Sequence, residues 1–404
     1  MNLELADKIA KVVLYEGYML YPYRASAVKN RQRWNFGAVY PEAFSAVSGG
    51  TDACVMQTEC LVVGSESTTI DVKVKFLHLL AREVYELMEA GDGGWGIGEG
   101  GLKIENRGSA IDDGGWEESQ SSIVHPQSSI LNPPSPIPYP PSPIPYPPSS
   151  AFRLVESLEI TGRLFQTWQE AVERESCAGG LRVSDLCDRT ERVSFAFAAT
   201  FESEPILGGD GRQAGVIVRK QEPVEGAFQV SAERVDEHVF KITTRVVNET
   251  GMNVEDLKWR DKALMRTLVS THTILAARGG EFVSLLDPPD DLRETVNACA
   301  NIGTYPVLVG EHGERDLMLS SPIILYDYPQ IAPESAGDLF DSTEIDEILT
   351  LRILTLTEEE KREMRNVDDR ARRILERTET MPLEQLMKLH GAVRGLRAVT
   401  KNAE

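Results

Sequence analysis

"FQVSAERVDEHVFKITTRVVN", residues 228–248, sets apolar residues against polar ones on both sides of a central VDEH. Phe228 and Val230, then Val239, Phe240 and Ile242, recur at or near every second position, which is the spacing of one face of a strand. The polar VDEH reverses the chain, so the stretch predicts two antiparallel strands joined by a turn. The same alternation appears in VSFAFAATFE (193–202), AGVIVRKQ (214–221) and TLVSTHTILAAR (267–278), and continues in YPVLVG (305–310) and the 315–331 segment. Upstream, TTIDVKVKF (68–76) alternates Ile70, Val72, Val74 and Phe76 with Asp71, Lys73 and Lys75, and CLVVG (60–64) reads as a short strand. Leu158 and Ile160, then Leu164 and Phe165, flank Thr161-Gly162 as strands around a tight turn. No regular strand-helix-strand alternation occurs, which disfavours a doubly wound sheet. These patterns predict an α+β, β-rich chain whose core is a mainly antiparallel sandwich or half-open barrel.

Helical spacing predicts a helix from Glu4 to about Leu20, a second over HLLAREVYELMEAG (78–91), and a short one over TWQEAVERE (167–175). AVYPEAFSAV (38–47) reads as a loop. From about residue 338 the period becomes helical. Thr343 precedes Asp346, and Thr357 precedes Glu360, by the three residues of a capping box, and Pro382 suits a first helical turn. Residues 91–150 hold eleven of the 22 prolines, including a tandem PSPIPYP repeat at 134–147. Such a segment favours extended polyproline conformation and builds no core, so it is expected to be a disordered insert. The expected organisation is 1–90 as the N-terminal part of the core, 91–150 as the insert, 151–337 as the β-rich core and 338–404 as a helical tail.

The 404 residues are 41% hydrophobic and carry a formal net charge of −21. That is enough chain for a large core, and the acidic balance repels nucleic acid and anionic lipid over most of the surface. No apolar run reaches the roughly 18 residues of a membrane span, and the N-terminus lacks a basic secretory start, so a cytoplasmic location without membrane insertion is expected. Five cysteines, irregularly spaced and odd in number, predict reduced thiols. GDGGWG (91–96) and GIGEGG (96–101) match a dinucleotide fingerprint only as bare patterns, since no strand leads into them. Cys54/Cys60 and Cys177/Cys187 lack zinc-turn spacing, and a site joining Cys299 to His312 is unsignalled. No nucleophile elbow, HExxH or phosphate loop occurs. No cofactor and no metal are expected.

One stretch breaks the acidic pattern. Between residues 15 and 36, Tyr15, Tyr18, Tyr21, Tyr23, Trp34 and Phe36 interleave with Arg24, Lys29, Arg31 and Arg33. Guanidinium groups stack on rings and hold carboxylates or phosphates at two points. Tyr21, Tyr23, Arg24, Lys29, Arg31, Arg33 and Trp34 therefore form a candidate partner- or anion-binding surface. Four uses are open: internal pairing with tail acids such as Asp338, Asp341, Glu344, Asp346 and Glu347, recognition of an acidic protein partner, an enzyme pocket for an anionic substrate with Glu16 or Asp327 nearby, or nucleic acid, which the aromatic interleaving permits and the global charge opposes.

LYEGYMLYPYRASAVKNRQRWNFGAVYP (14–41) and the stretch from Ser320 to Arg365 resemble a family of bacterial proteins encoded beside uptake NiFe-hydrogenase genes. The resemblance runs from the N-terminus to about 90 and from about 152 to 376, leaving the proline-rich insert outside. It implies an accessory role in assembly, maturation or stabilisation of a hydrogenase, with a hydrogenase subunit or maturation factor as protein partner. It carries over no catalytic residues, and the chain lacks the paired-cysteine zinc motif and phosphate loop of metal-handling maturation factors. The expected function is thus a non-catalytic accessory protein; the alternative is an enzyme binding an anionic small molecule through 24–34.

Overall fold

A computed structural model describes residues 3–15, 36–88, 151–330, 347–367 and 369–384. Helices α1 (Leu3–Leu14) and α2 (Glu42–Val47) precede β1 (Val55–Leu87). Then follow β2 (Phe152–Val155), β3 (Ser157–Ile160), β4 (Arg163–Gln166), β5 (Trp168–Arg182), α3 (Val183–Asp188), β6 (Glu191–Phe197) and β7 (Thr200–Leu207). The chain continues through β8 (Gln213–Gln221), β9 (Val224–Arg234), β10 (Val239–Asn248), α4 (Arg260–Leu264), β11 (Val269–Phe282), α5 (Arg293–Asn297), β12 (Tyr305–Leu308) and β13 (Leu317–Ser321). Helices α6 (Glu347–Leu354), α7 (Glu358–Val367) and α8 (Asp369–Glu379) form the tail.

Eleven strands make one antiparallel sheet, with β3–β4 as a separate hairpin. The fold is α+β and β-rich, with an N-terminal helix and C-terminal helices. The β9–β10 pair runs in register from Phe240 opposite Arg234 to Asn248 opposite Gly226. Phe240, Ile242, Thr244, Val246 and Asn248 are buried at every second position, as the alternation requires. Val235 N–H donates to the Val239 carbonyl at 2.9 Å, closing the turn at VDEH. Thr161 and Gly162 have φ of 51° and 78°, the paired positive values of a two-residue hairpin turn whose twist matches its strands.

Strand β1 organises the sheet. Over 33 residues it pairs with β10, β11, β5, β8 and β2. Residues Glu222-Pro223 alone separate β8 from β9, and Ala198-Ala199 separate β6 from β7, so both partner strands bend at the same level. Leu87 lies opposite Phe152, and Met88 N–H donates to the Ala151 carbonyl at 2.7 Å. The chain therefore leaves and rejoins the core at one end of a strand pair. The described residues up to Leu87 and from Phe152 onward form one compact unit. The proline-rich insert lies outside the described residues.

On one face of the sheet Phe76, Phe228, Phe240 and Phe282 join Val74, Ile242 and Leu275 in the largest core cluster. On the other, α1 lays Ala6, Ile9, Ala10 and Val13 against Ile274, Ala276, Leu317 and Leu319. Fully burying an aliphatic side chain such as Ile9 or Val13 stabilises by about 1.5–3 kcal/mol. Lys73 and Lys75 fix the helix by ion pairs to Asp7 at 2.8 and 3.2 Å. The tail helices bring Ile353, Met364, Ala371, Ile374 and Leu375 onto Leu77, Leu79, Leu14 and Val269. At the start of α7 the capping box is formed: the Glu360 amide donates to Thr357 Oγ1 at 3.2 Å and the Thr357 amide donates to Glu360 Oε2 at 2.8 Å. The Thr343–Asp346 box lies outside the described residues.

Three sequence expectations are corrected. Residues 78–87 continue β1 and are not a helix, because this part of the strand is covered on both faces and lies between β5 and β8; Leu77, His78 and Leu79 are buried in succession, which erases the period of two. Residues 168–175 belong to β5, whose backbone is paired along β1 from Arg82 to Thr69, so sheet pairing overrides local helical preference. Residues 42–47 form α2 instead of a loop, entered from Pro41 and ended before Gly49 and Gly50, which both have positive φ.

Candidate functional site

The aromatic and basic residues Tyr21, Tyr23, Arg24, Lys29, Arg31, Arg33 and Trp34, together with Glu16, lie outside the described residues, as do Asp338, Asp341, Glu344 and Asp346. Glu347 opens α6. The described neighbours of the segment are anchored. Tyr15 is buried, its hydroxyl donates to Glu173 at 2.9 Å, and the Arg370 guanidinium lies 4.2 Å from its ring centroid and donates to its oxygen. The Phe36 carbonyl accepts the Ser270 amide. Asp327 is a structural acceptor: it takes the Leu308 amide at 2.8 Å and the Ser284 hydroxyl, fastening the 284–287 turn to β12.

Tail and core are joined by arginines that sequence reasoning did not select. Arg82, buried in β1, donates to the Gln166 carbonyl, to Glu170 at 3.1 Å and to the Asn366 carbonyl at 3.0 Å. Its charge meets the last turn of α7, where the helix dipole favours a cation. In the reverse sense, Arg362 of α7 reaches Glu159 and the Gly162 carbonyl of the β3–β4 hairpin, and Arg370 of α8 reaches Glu173 at 3.5 Å.

These contacts border a cleft of about 500 Å³ between the β3–β4 hairpin, β8 and helices α7 and α8. Arg82, Arg163, Arg219, Arg362, Arg365 and Arg372 line it, facing only two lining carboxylates, Glu204 and Asp369. Leu164, Phe165 and Ile217 supply an apolar wall. Arg219 sits between Glu204 at 3.1 Å and Glu170 at 3.5 Å; burial opposes its charge, but the bonds to these two acids outweigh it and raise its affinity for the proton. The available signals were a charge inside an apolar strand (Arg82), an arginine after a turn glycine (Arg163) and the basic run RARRILER (370–377).

A second exposed feature surrounds β12, at the sheet edge. Tyr305, Ile302, Ile324 and Tyr326 are exposed, the last two at 71% and 84% of their surface. Backbone bonds from Ile302 to Gln57 and from Tyr328 to Leu308 fix the segments that present them.

Cys177, Cys187 and His238 are exposed, whereas His78, His272 and Cys60 are enclosed. His272 Nδ1–H donates to the Ser270 carbonyl at 2.7 Å, leaving Nε2 to accept the Ser321 hydroxyl at 3.2 Å. That is the order of a base and a nucleophile, but both side chains are fully buried, and Ser321 Oγ also accepts the Ile323 amide. The adjacent Ser320 hydroxyl ties Thr58 and Thr304, each at 2.7 Å. His78, also buried, donates from Nε2 to the Glu222 carbonyl at 2.8 Å and has no partner at Nδ1. Burial pushes both histidines down to about 4, aided by Arg174 near His78 and Lys75 near His272. Burial raises the Cys60 thiol and pushes Cys299 up to about 11, so neither supplies a thiolate at neutral pH. His312 stacks on Tyr328 at 5.3 Å, and Cys299 bonds the Thr295 carbonyl. Among the described residues no three His, Cys, Asp or Glu side chains are grouped to hold a metal, and no helix is long and apolar enough to cross a membrane. The chain matches no family model, no curated protein and no solved structure.

Proposed function

We propose that this protein is a non-catalytic accessory protein that acts through protein–protein contact in the assembly, maturation or stabilisation of an uptake NiFe hydrogenase in the cytoplasm. The observation that carries the contact is the exposed aromatic and aliphatic group at the β12 edge, Ile302, Tyr305, Ile324 and Tyr326. Large side chains held out to solvent by a fixed backbone are the composition of an interface centre. The choice of partner rests on the resemblance of residues 14–41 and 320–365, the second of which contains Ile324 and Tyr326.

The test uses the full chain and the purified hydrogenase large and small subunits, in precursor and mature form. Binding is followed by biolayer interferometry. One subunit should bind, and Ile324→Asp with Tyr326→Asp should weaken it by at least about tenfold. Because both side chains are exposed, the melting temperature should stay unchanged. Absence of binding to every form, or binding indifferent to the double substitution, refutes the proposal.

A further inference from the structure

The arginines of the cleft between the β3–β4 hairpin, β8 and the tail helices hold more donors than the protein uses. Arg82 bonds protein acceptors from all three of its nitrogens and serves as the floor. Among the described residues, Arg365 engages one terminal nitrogen, on Glu379, and Arg372 one, on Asp369. Arg163 has the Phe165 ring at 4.9 Å and no carboxylate among the described residues. Each guanidinium carries five N–H donors. Exposed pairs such as Arg372–Asp369 contribute little, so they yield readily to a better acceptor. An ion-pair network that merely fastened helices to the sheet would not need Arg163, nor gather it with Arg365 and Arg372 around one cavity.

From this geometry we infer that the cleft is a binding site for a small organic anion bearing two or more phosphate or carboxylate groups. Planar guanidinium forks bind such oxyanions at two points. A volume of about 500 Å³ lies within the range of small-molecule sites, and Leu164, Phe165 and Ile217 give the carbon part of the ligand a surface. The arginines come from the hairpin and β8 on one side and from α7 and α8 on the other. An anion between them bridges core and tail, so it stabilises the docked tail by mass action. This site is separate from the β12 edge and stands or falls independently of the hydrogenase reading.

Isothermal titration calorimetry of the full chain in about 150 mM chloride, where loose ionic attraction is screened, uses three probes: inorganic pyrophosphate, ATP and citrate. At least one should bind at one site per chain, raise the melting temperature and slow hydrogen exchange in α7 and α8. Pyrophosphate and ATP without citrate identify a phosphate ligand, and citrate alone identifies a polycarboxylate. Arg163→Gln and Arg372→Gln, both at exposed positions, should each weaken binding about tenfold or more while leaving the unliganded melting temperature in place. Silence from all three probes at millimolar concentration overturns the inference. So does binding that both variants retain at full strength.

Discussion

Acidification should destabilise this protein before its carboxylates titrate, and two buried histidines set the effect. His78 and His272 are both held down at about 4 by burial, against about 6.5 in an unfolded chain. Below pH 6.5 the unfolded chain binds two protons that the folded one refuses, so stability falls as pH falls and levels out near pH 4. Protonating His78 would place an N–H with no acceptor at Nδ1, and protonating His272 would turn its Nε2 acceptor into a donor against Ser321. Between pH 8 and pH 5 each histidine should remove about 2 kcal/mol, and the two together about 4 kcal/mol. Asp7, Glu222 and Glu379 are held below the usual carboxylate range by neighbouring cations, so their contribution is lost only at lower pH. Urea unfolding followed by circular dichroism at pH 8, 6.5 and 5 measures the decline. His78→Gln keeps a donor for the Glu222 carbonyl, and His272→Asn keeps one for the Ser270 carbonyl. Each variant, whatever its stability at pH 8, should lose about half of the wild-type pH dependence, and the double variant nearly all of it. A decline of equal size in wild type and double variant would refute the assignment.

Removing the guanidinium in Arg82→Met takes the donor from the Gln166 and Asn366 carbonyls while Glu170 keeps Arg219, so it should lower stability by about 1–3 kcal/mol and speed hydrogen exchange in α7. Ser320→Ala leaves the Thr58 and Thr304 hydroxyls without their shared partner and should lower stability by about 1–3 kcal/mol in the same urea assay. Thr357→Ala removes the acceptor of the α7 capping box, for a loss of about 1 kcal/mol visible in thermal unfolding. Replacing the residues between Leu87 and Phe152 with a four-residue turn shortens the connection about sixteenfold and should raise stability by about 2 kcal/mol through loop closure; a drop on calorimetric unfolding would mean that the segment packs on the core.

The strands with one solvated face were legible. In β10 and in the first half of β1, one set of alternate side chains enters the phenylalanine core, so the period survives in the sequence. Legibility failed where β1 is covered on both faces. There Leu77 and Leu79 meet the tail helices while Phe76 meets the opposite core, and the run mimics a helix. The arginine cleft was hidden for a different reason. Its six guanidinium groups come from positions 82, 163, 219, 362, 365 and 372, and only strand pairing together with docking of the tail helices brings them together. The segment that did look chemical, 24–34, owed that look to residues adjacent in the chain.

The length of β1 constrains synthesis. Val72 pairs with Leu275, so this strand emerges from the ribosome about 200 residues before that partner exists. At a translation rate of roughly 5–20 residues per second, the interval is roughly 10–40 s. Throughout it the edge of β1 that β11 covers stays open along a run of Ile, Val, Phe and Leu, a template for intermolecular β-aggregation. Its biogenesis should therefore require a holdase chaperone, and recombinant yield should rise when elongation is fast relative to encounters between neighbouring nascent chains.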